Sequence, residues 1–387
     1  MLSTARAYRR HHPEEMFRWR LLGPEGGLTQ PDRTQAHLRT NVRRVLQGVL
    51  SLALVVAIFV FALPRLADFS EVWAELAEMT WLEFATLTAA SLWNIVTYWF
   101  VMMGALPGLT LYQAMLVNQS STAIANTLPG GGAIGVGVTY AMYTSFGFGP
   151  GQIALSVAVS GVWNNFVKLG MPVIAIALLA LEGDAAGSTL TAAIVGVGVL
   201  VGAVVAFAAV LRSVRVAFAV GDAVGRATSA TARLVRRGPF PGWGDRAVRF
   251  RTETIDLLER RWLWLTLATL VSHLSLYVVL LVTLRHVGVS DDEVSWIQVL
   301  AAFSFMRLVS ALPITPGGLG VVELGYSAAL IAAGGDRAQV VASVLLFRAL
   351  TYLLPIPVGA ITYVLWRRGS HHHAAPPEVA AGRRAGA

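Results

Sequence analysis

Apolar runs long enough to cross a lipid bilayer recur along this chain, separated by short polar segments. The uninterrupted runs cover about 45–63, 81–106, 152–181, 188–211, 262–284 and 337–366. Roughly 20 apolar residues are enough for one helix to cross the hydrocarbon core. The pattern therefore predicts an all-α polytopic membrane protein.

Two further apolar regions are broken by a Pro-Gly-Gly sequence, at 129–131 and at 316–318. A break exposes backbone amides, which is tolerated at membrane depth only where protein or water satisfies them. Glycine allows a tight turn and the close approach of a ligand or another backbone. The helix predicted over 321–333 directs its positive N-terminal end at the second break. We expect two hairpins, each either re-entering the membrane or crossing it twice.

The two broken regions are related in sequence. When residue n is placed opposite residue n + 187, the stretch 129–160 lies on 316–347 without a gap, and 8 of 32 positions are identical. The matching residues in the first stretch are Pro129, Gly130, Gly131, Ala141, Gly147, Gln152, Ser156 and Val157. The match predicts an internal duplication.

Loop charges predict the orientation of the two copies. Residues 1–44 carry nine arginines against four acids, and residues 212–261 carry eleven against five. Because cytoplasmic loops are enriched in basic residues, both segments are expected inside, whereas the acidic loops near Glu182 and Asp291 are expected outside. The first broken region then begins inside and its copy begins outside. This parity predicts an inverted-topology repeat, in which each half has two spans, a broken hairpin and a further span.

The predicted organisation has four parts. They are a basic cytoplasmic tail (1–44), a first membrane repeat (45–187), a second repeat (188–366) that contains the basic loop 212–261, and a cytoplasmic tail (367–387). We expect the protein to lie in the plasma (inner) membrane with both termini in the cytoplasm.

Composition narrows the chemistry. The chain is 55% hydrophobic and 13% charged, and it has no cysteine, which excludes disulfides and thiolate metal sites. The net charge of +8 is carried almost wholly by arginine, and in a membrane protein it favours cytoplasmic loops over nucleic-acid binding. Common hydrolase and nucleotide-binding motifs are absent. We expect no enzyme activity, no cofactor and no metal site; the triplet His371–His373 is expected to be a simple tail.

Four charged residues are predicted to lie in the membrane: Lys168, Arg307, Glu323 and Arg348. Such charges are costly and are functional candidates by default. Their excess of two positive charges suits a lipid phosphate, whose oxygens match the arginine fork. Glu323 is expected either to serve a substrate or to pair with Arg348 or Arg307. Lys168 is expected to bind substrate or to extend to the membrane interface.

Uncharged polar residues complete the candidate site. Asn164 is expected either to bind substrate or to bond between helices. His273 is expected either to be packed and hydrogen-bonded or to relay protons. The backbone of the two breaks is also expected to contact substrate, at Pro129, Gly130, Gly131, Pro316, Gly317 and Gly318.

The sequence LPITPGGLGVVELGYSAAL, followed by Arg348 in LLFRALTYLLP, resembles the transmembrane flippase-like domain of lysylphosphatidylglycerol synthases. The stretch NTLPGGGAIGVGVTYAMY is similar to the other Pro-Gly-rich motif of that family, and the resemblance covers about 45–366. It implies movement of lipid across the bilayer by a member without the soluble synthase domain. The first copy has Val136 opposite Glu323 and Gly161 opposite Arg348, so the two halves are not chemically equivalent.

The expected function is therefore movement of an anionic or phosphate-bearing lipid, either a modified phospholipid or a polyprenyl-phosphate-linked lipid. Two other functions are considered. One is a non-transporting scaffold that binds an envelope-synthesis or lipid-synthesis enzyme through the basic loop. The other is a secondary carrier for a small solute.

Overall fold

The computed structural model describes residues 60, 65–66, 68–128, 131–182, 187–234, 242–310 and 315–370, all within the compact unit Ser51–Ala387. The predicted first span (apart from Val60), Pro129, Gly130 and His371–His373 lie outside these residues. The helices are α1 (Phe69–Ala77), α2 (Trp81–Ala105), α3 (Leu111–Thr127), α4 (Gly131–Ser145), α5 (Pro150–Glu182), α6 (Gly187–Arg212), α7 (Val214–Leu234), α8 (Trp243–Val287), α9 (Trp296–Val309), α10 (Val321–Ala332), α11 (Arg337–Arg348) and α12 (Pro355–Ser370).

Long apolar helices dominate the described part of the chain. Five stretches there have the length and hydropathy to cross a membrane, namely α2, α5, Ile194–Arg212 in α6, α8, and Arg337–Gly369. The last stretch joins α11 to α12 through one π-helical turn, Ala349–Leu353. The helices α9 and α10 are apolar but shorter. The prediction of an all-α polytopic membrane protein is confirmed.

Helix α8 extends well beyond the span predicted at 262–284. It has 45 residues, so its axis is about 68 Å long at 1.5 Å per residue. Neither glycine nor proline occurs between Gly244 and Gly288, so nothing interrupts the helix where the sequence changes from basic to apolar. Its first turns pack against α7, where Trp243 closely approaches the backbone at Gly221 and Gly225. Much of the basic segment is therefore a pair of packed helices.

The two broken regions have corresponding helices. The arms of the first are α3 and α4, and those of the second are α9 and α10, with the 3₁₀ turn Pro316–Gly318 between them. Helix α5 begins at Pro150 and ends at Glu182, and adding 187 to these numbers gives Arg337 and Gly369, the limits of the long stretch through α11 and α12. The element boundaries thus repeat at the sequence offset, whereas the opposite orientation of the copies stays a prediction.

The core lies among α5, α8, α9, α10 and α11. Its best buried side chains include Leu280, Leu284, Phe303, Tyr326 and Leu330. A second cluster joins α2, α3, α4 and the start of α5. Helix α2 packs along α8, and α12 packs along α3. The apolar part of α6 is not buried by the protein, as expected for a helix that faces lipid.

Candidate functional site

The second break is a sharp turn built on glycine. Gly317, Gly318 and Gly320 all have positive φ, which L-residues with a side chain rarely adopt. A Cβ on Gly317 would also lie 2.1 Å from Cε2 of Tyr352, so there is no space for a side chain. Both α3 and α4 contact this turn. The two arms of the first broken region therefore adjoin the second break.

A reciprocal pair of hydrogen bonds joins the two regions. The Tyr352 hydroxyl donates to the carbonyl oxygen of Asn126 over 2.6 Å, and Asn126 Nδ2 donates to the Tyr352 carbonyl oxygen over 3.1 Å. Asn126 is in the last turn of α3, just before the first Pro-Gly-Gly. This pair ties the end of α3 to the π-helical turn after α11.

Glu323 and Arg348 form a buried ion pair beside the second break. Arg348 Nε lies 2.7 Å from Glu323 Oε1. The Arg348 side chain is 14% exposed and the Glu323 side chain 1%. Arg348 Nη2 also donates to the Gly317 carbonyl oxygen over 3.1 Å. The guanidinium carbon stacks 4.4 Å from the centre of the Tyr352 ring, a cation–π contact.

The same carboxylate caps α10. Glu323 Oε2 accepts the backbone N–H of Gly320 over 2.6 Å, at the N-terminal end of the helix. The structure shows which group lies at the N-terminal end of α10 and which arginine pairs with Glu323. The positive end of α10 is met by a carboxylate of the chain itself, and the ion-pair partner of Glu323 is Arg348, with no pair to Arg307.

A polar cavity lies close to the break. Its volume is about 640 Å³, and it is lined by α2, α3, α4, α5, α8, α9, the π-helical turn and the start of α12. Thr351 and Ala125 line it, and each is the immediate neighbour of a residue in the pair Asn126–Tyr352. The polar side chains on its wall are Asn94, Tyr98, Asn118, Gln119, Ser121, Thr122, Thr139, Asn164, Lys168, Ser272, His273, Arg307 and Thr351.

Two cationic side chains in this cavity have no partner among the described residues. Lys168 from α5 and Arg307 from α9 line it, and neither side chain makes a hydrogen bond or an ion pair with a described residue. The Arg307 Nε is buried, and no described residue accepts a hydrogen bond from it. No carboxylate is present among the lining residues that the structure describes. With histidine neutral, the wall carries two positive charges, which makes the cavity complementary to an anion.

Positions related by the sequence offset of 187 meet in the cavity wall. Asn164 and Lys168 line it from α5. Adding 187 to these numbers gives Thr351 and Pro355, which also line it. The cavity therefore lies between the two predicted repeats.

The remaining candidate residues are distributed as follows. Gly131 does not line the cavity; a Cβ there would lie 2.5 Å from the Ala125 carbonyl oxygen, so it allows α4 to pack on α3. Pro316, Gly317 and Gly318 form the turn described above. The part of the chain described here holds no group of three or more His, Asp or Glu side chains placed to bind a metal ion.

Several lining residues escaped the sequence analysis as site candidates. Asn94 and Tyr98 are polar residues one turn apart within the apolar span α2, a signal that was available. The polar side chains of α3 were also noticeable in the sequence, but no local pattern marked any of them as a site residue. Asn94 also donates to the Ser272 carbonyl oxygen over 3.2 Å, so it helps to hold α2 against α8.

The family relationship agrees with this architecture. A family model described as the lysylphosphatidylglycerol synthase TM region matches residues 48–359, a range that contains both broken regions and all the lining residues of the cavity. No curated protein matches the chain. The resemblance noted in the sequence is confirmed, and the chain belongs to the family of the lysylphosphatidylglycerol synthase TM region.

Proposed function

We propose that this protein moves a lipid with an anionic, phosphate-bearing head group across the membrane. The lipid class that we propose is a modified phospholipid or a polyprenyl-phosphate-linked lipid. The observation that carries the proposal is the pair of cations Lys168 and Arg307, whose side chains have no partner among the described residues and line one cavity between the two predicted repeats.

The energetic argument starts from the cost of these charges. Removing a cation from water costs several kcal/mol unless an anion or a hydrogen-bond acceptor compensates its charge. Neither Lys168 nor Arg307 has such a partner among the described residues, whereas Arg348 does. A phosphate would be a partner for both cations. Arginine donates two parallel hydrogen bonds to phosphate oxygens, and lysine supplies a point charge. The surrounding amides and hydroxyls suit the uncharged polar part of a head group.

The dimensions support a head-group site. A cavity of about 640 Å³ is within the usual range for small-molecule sites, and its many amide, hydroxyl and cationic side chains suit a head group. A separate apolar groove of about 230 Å³ lies between α2 and α8, two of the helices that also line the cavity, and it includes Trp93 and Leu274. Both side chains are exposed on the surface of the protein. We propose that this groove accommodates an acyl chain while the head group occupies the cavity.

The test is leaflet exchange of fluorescent lipids in proteoliposomes. We expect faster exchange of phosphatidylglycerol, which is anionic, than of zwitterionic phosphatidylcholine. Removing one charge-assisted contact by Lys168→Gln or Arg307→Gln is expected to weaken head-group binding roughly tenfold or more. Arg226→Gln is the matched control, because Arg226 is an exposed arginine of α7 that pairs with Asp222.

Four outcomes would contradict the proposal. Equal exchange of both lipids would remove the role of the cations, and normal exchange by Arg307→Gln would do the same. Uptake of inorganic phosphate without any lipid exchange would favour the small-solute carrier. Protein that exchanges neither lipid and takes up no phosphate would favour the scaffold bound through the basic segment.

A further inference from the structure

We propose that His273 takes up a proton when the anionic head group enters the cavity, so that lipid movement is coupled to proton movement. The inference rests on the proposed function and adds its energy source. It depends on three observations: the hydrogen bonding of the imidazole, the charges around it, and its position in the wall of the cavity.

The hydrogen bond of His273 defines its tautomer. Nδ1 lies 3.0 Å from the Thr269 carbonyl oxygen, one turn earlier in α8. A carbonyl can only accept, so Nδ1 carries the hydrogen. Nε2 is then the basic nitrogen of a neutral ring, and it is buried with no hydrogen-bond partner among the described residues. Only 3% of the residue is exposed, although it lines the cavity.

The charges around His273 oppose its protonation while the cavity holds no anion. Three other titratable residues line the wall: Lys168 on α5, Arg307 on α9 and Tyr98 on α2. The remaining elements, α3, α4, the π-helical turn and the start of α12, contribute uncharged residues. Protonation would place a third positive charge beside two others with no carboxylate on the described wall. The neutral imidazole is therefore the stable form.

An anion shifts this balance toward protonation. At an effective dielectric constant of about 20, one negative charge at about 6 Å favours a proton roughly 100-fold. A phosphate between Lys168 and Arg307 offsets one of their two positive charges, and in the proposed cycle Nε2 then binds one proton taken from the water on the side where the lipid enters. Release of the lipid on the other side returns that proton to water. Because linkage is reciprocal, protonation strengthens lipid binding by the same factor.

A proton gradient would therefore bias the direction of movement. Lipid would load preferentially from the more acidic side and dissociate on the less acidic side. This requires no nucleotide and no ion other than the proton. A histidine suits the role because its ordinary titration range includes neutral pH.

The experiment counts protons taken up on binding. Calorimetric titration of the purified full chain with short-chain phosphatidylglycerol, in two buffers with different ionisation enthalpies, gives the number of protons bound per lipid. The probe is a phosphodiester and has no proton of its own to exchange near neutral pH. We expect uptake of up to one proton by the native protein and none by His273→Gln. His286→Gln, in the last turn of α8 where Nε2 contacts Thr86 Oγ1 at 2.7 Å, should behave as native.

Each result separates the two proposals. Binding by the native protein without proton uptake overturns the coupling and leaves the proposed function intact. No binding of the probe by the native protein overturns both. Unchanged proton uptake by His273→Gln also overturns the assignment to His273. If this variant does not fold, the native protein still provides a test: in proteoliposomes, acidifying the lipid-loading side should accelerate exchange, and an absent effect overturns the coupling.

Discussion

Arg348 Nε donates to Glu323 Oε1 over 2.7 Å, across 25 positions of sequence and at the edge of the Pro-Gly-Gly turn. The same two side chains bind the backbone within the turn and just after it, because Arg348 donates to Gly317 and Glu323 accepts from Gly320. The ion pair therefore fastens α10 and α11 to the turn. These contacts suit a structural role at the break, and neither Glu323 nor Arg348 is among the described residues that line the cavity.

Removing the carboxylate should destabilise the protein strongly. Glu323→Ala leaves Arg348 buried without its partner and Gly320 without its acceptor, so we expect a loss of about 3–5 kcal/mol. Thermal unfolding in detergent measures it. Asp222→Ala is the control, because it removes the exposed partner of Arg226 and should cost at most about 1 kcal/mol. Similar effects of the two variants would show that the buried pair contributes little.

Exchanging the two charges should not restore stability. In Glu323→Arg with Arg348→Glu, the opposite charges can still meet. However, a guanidinium cannot accept from the Gly320 N–H, and a carboxylate cannot donate to the Gly317 carbonyl. We expect the double variant to unfold at a lower temperature than the native protein. A native-like unfolding temperature would mean that the backbone contacts are dispensable and that only the pairing matters.

Gly317 should not tolerate alanine. The substitution combines a positive φ with a Cβ 2.1 Å from the Tyr352 ring, so it combines backbone strain with displacement of the ring. Gly147 is the matched control: its φ is also positive, but nothing lies within 4 Å of its Cβ position. Gly147→Ala should cost only the strain, about 1–2 kcal/mol. We expect Gly317→Ala to cost clearly more by thermal unfolding; equal losses would exclude the steric contribution.

The Tyr352 hydroxyl should contribute measurably to the contact between the two broken regions. Tyr352→Phe removes the donor to the Asn126 carbonyl and is expected to cost about 1 kcal/mol. Tyr363→Phe is the control, because that hydroxyl makes no hydrogen bond with a described residue. Denaturation in detergent compares them. If both variants unfold alike, the bond between Tyr352 and Asn126 is not a significant link between the repeats.

The orientation of the chain is open to a direct test. Reporter fusions at Glu75, Arg236 and the C-terminus are expected to read outside, inside and inside, as the distribution of arginine predicts. Measuring on which side of the membrane each broken region begins then tests the inverted repeat. The same orientation for both regions would overturn it.

The sequence by itself determined the membrane architecture, because the crossing of a bilayer depends on the length and hydropathy of a local run. The helix limits at Trp81–Ala105 and Arg337–Gly369 follow the predicted runs closely. It also determined where the helices break, since proline lacks a backbone donor and glycine accepts positive φ. The length of α8 was predicted poorly, because hydropathy reports the membrane-spanning part of a helix and not the helix itself.

The tertiary structure decided which charges are paired. Glu323 had two arginines as expected partners, and only the packing of α10 on α11 selects Arg348. Lys168, His273 and Arg307 come from three different helices, and no local pattern relates them before α5, α8 and α9 surround one cavity. The physical reason is that the cost of a charge depends on the atoms around it, which are contributed by distant parts of the chain.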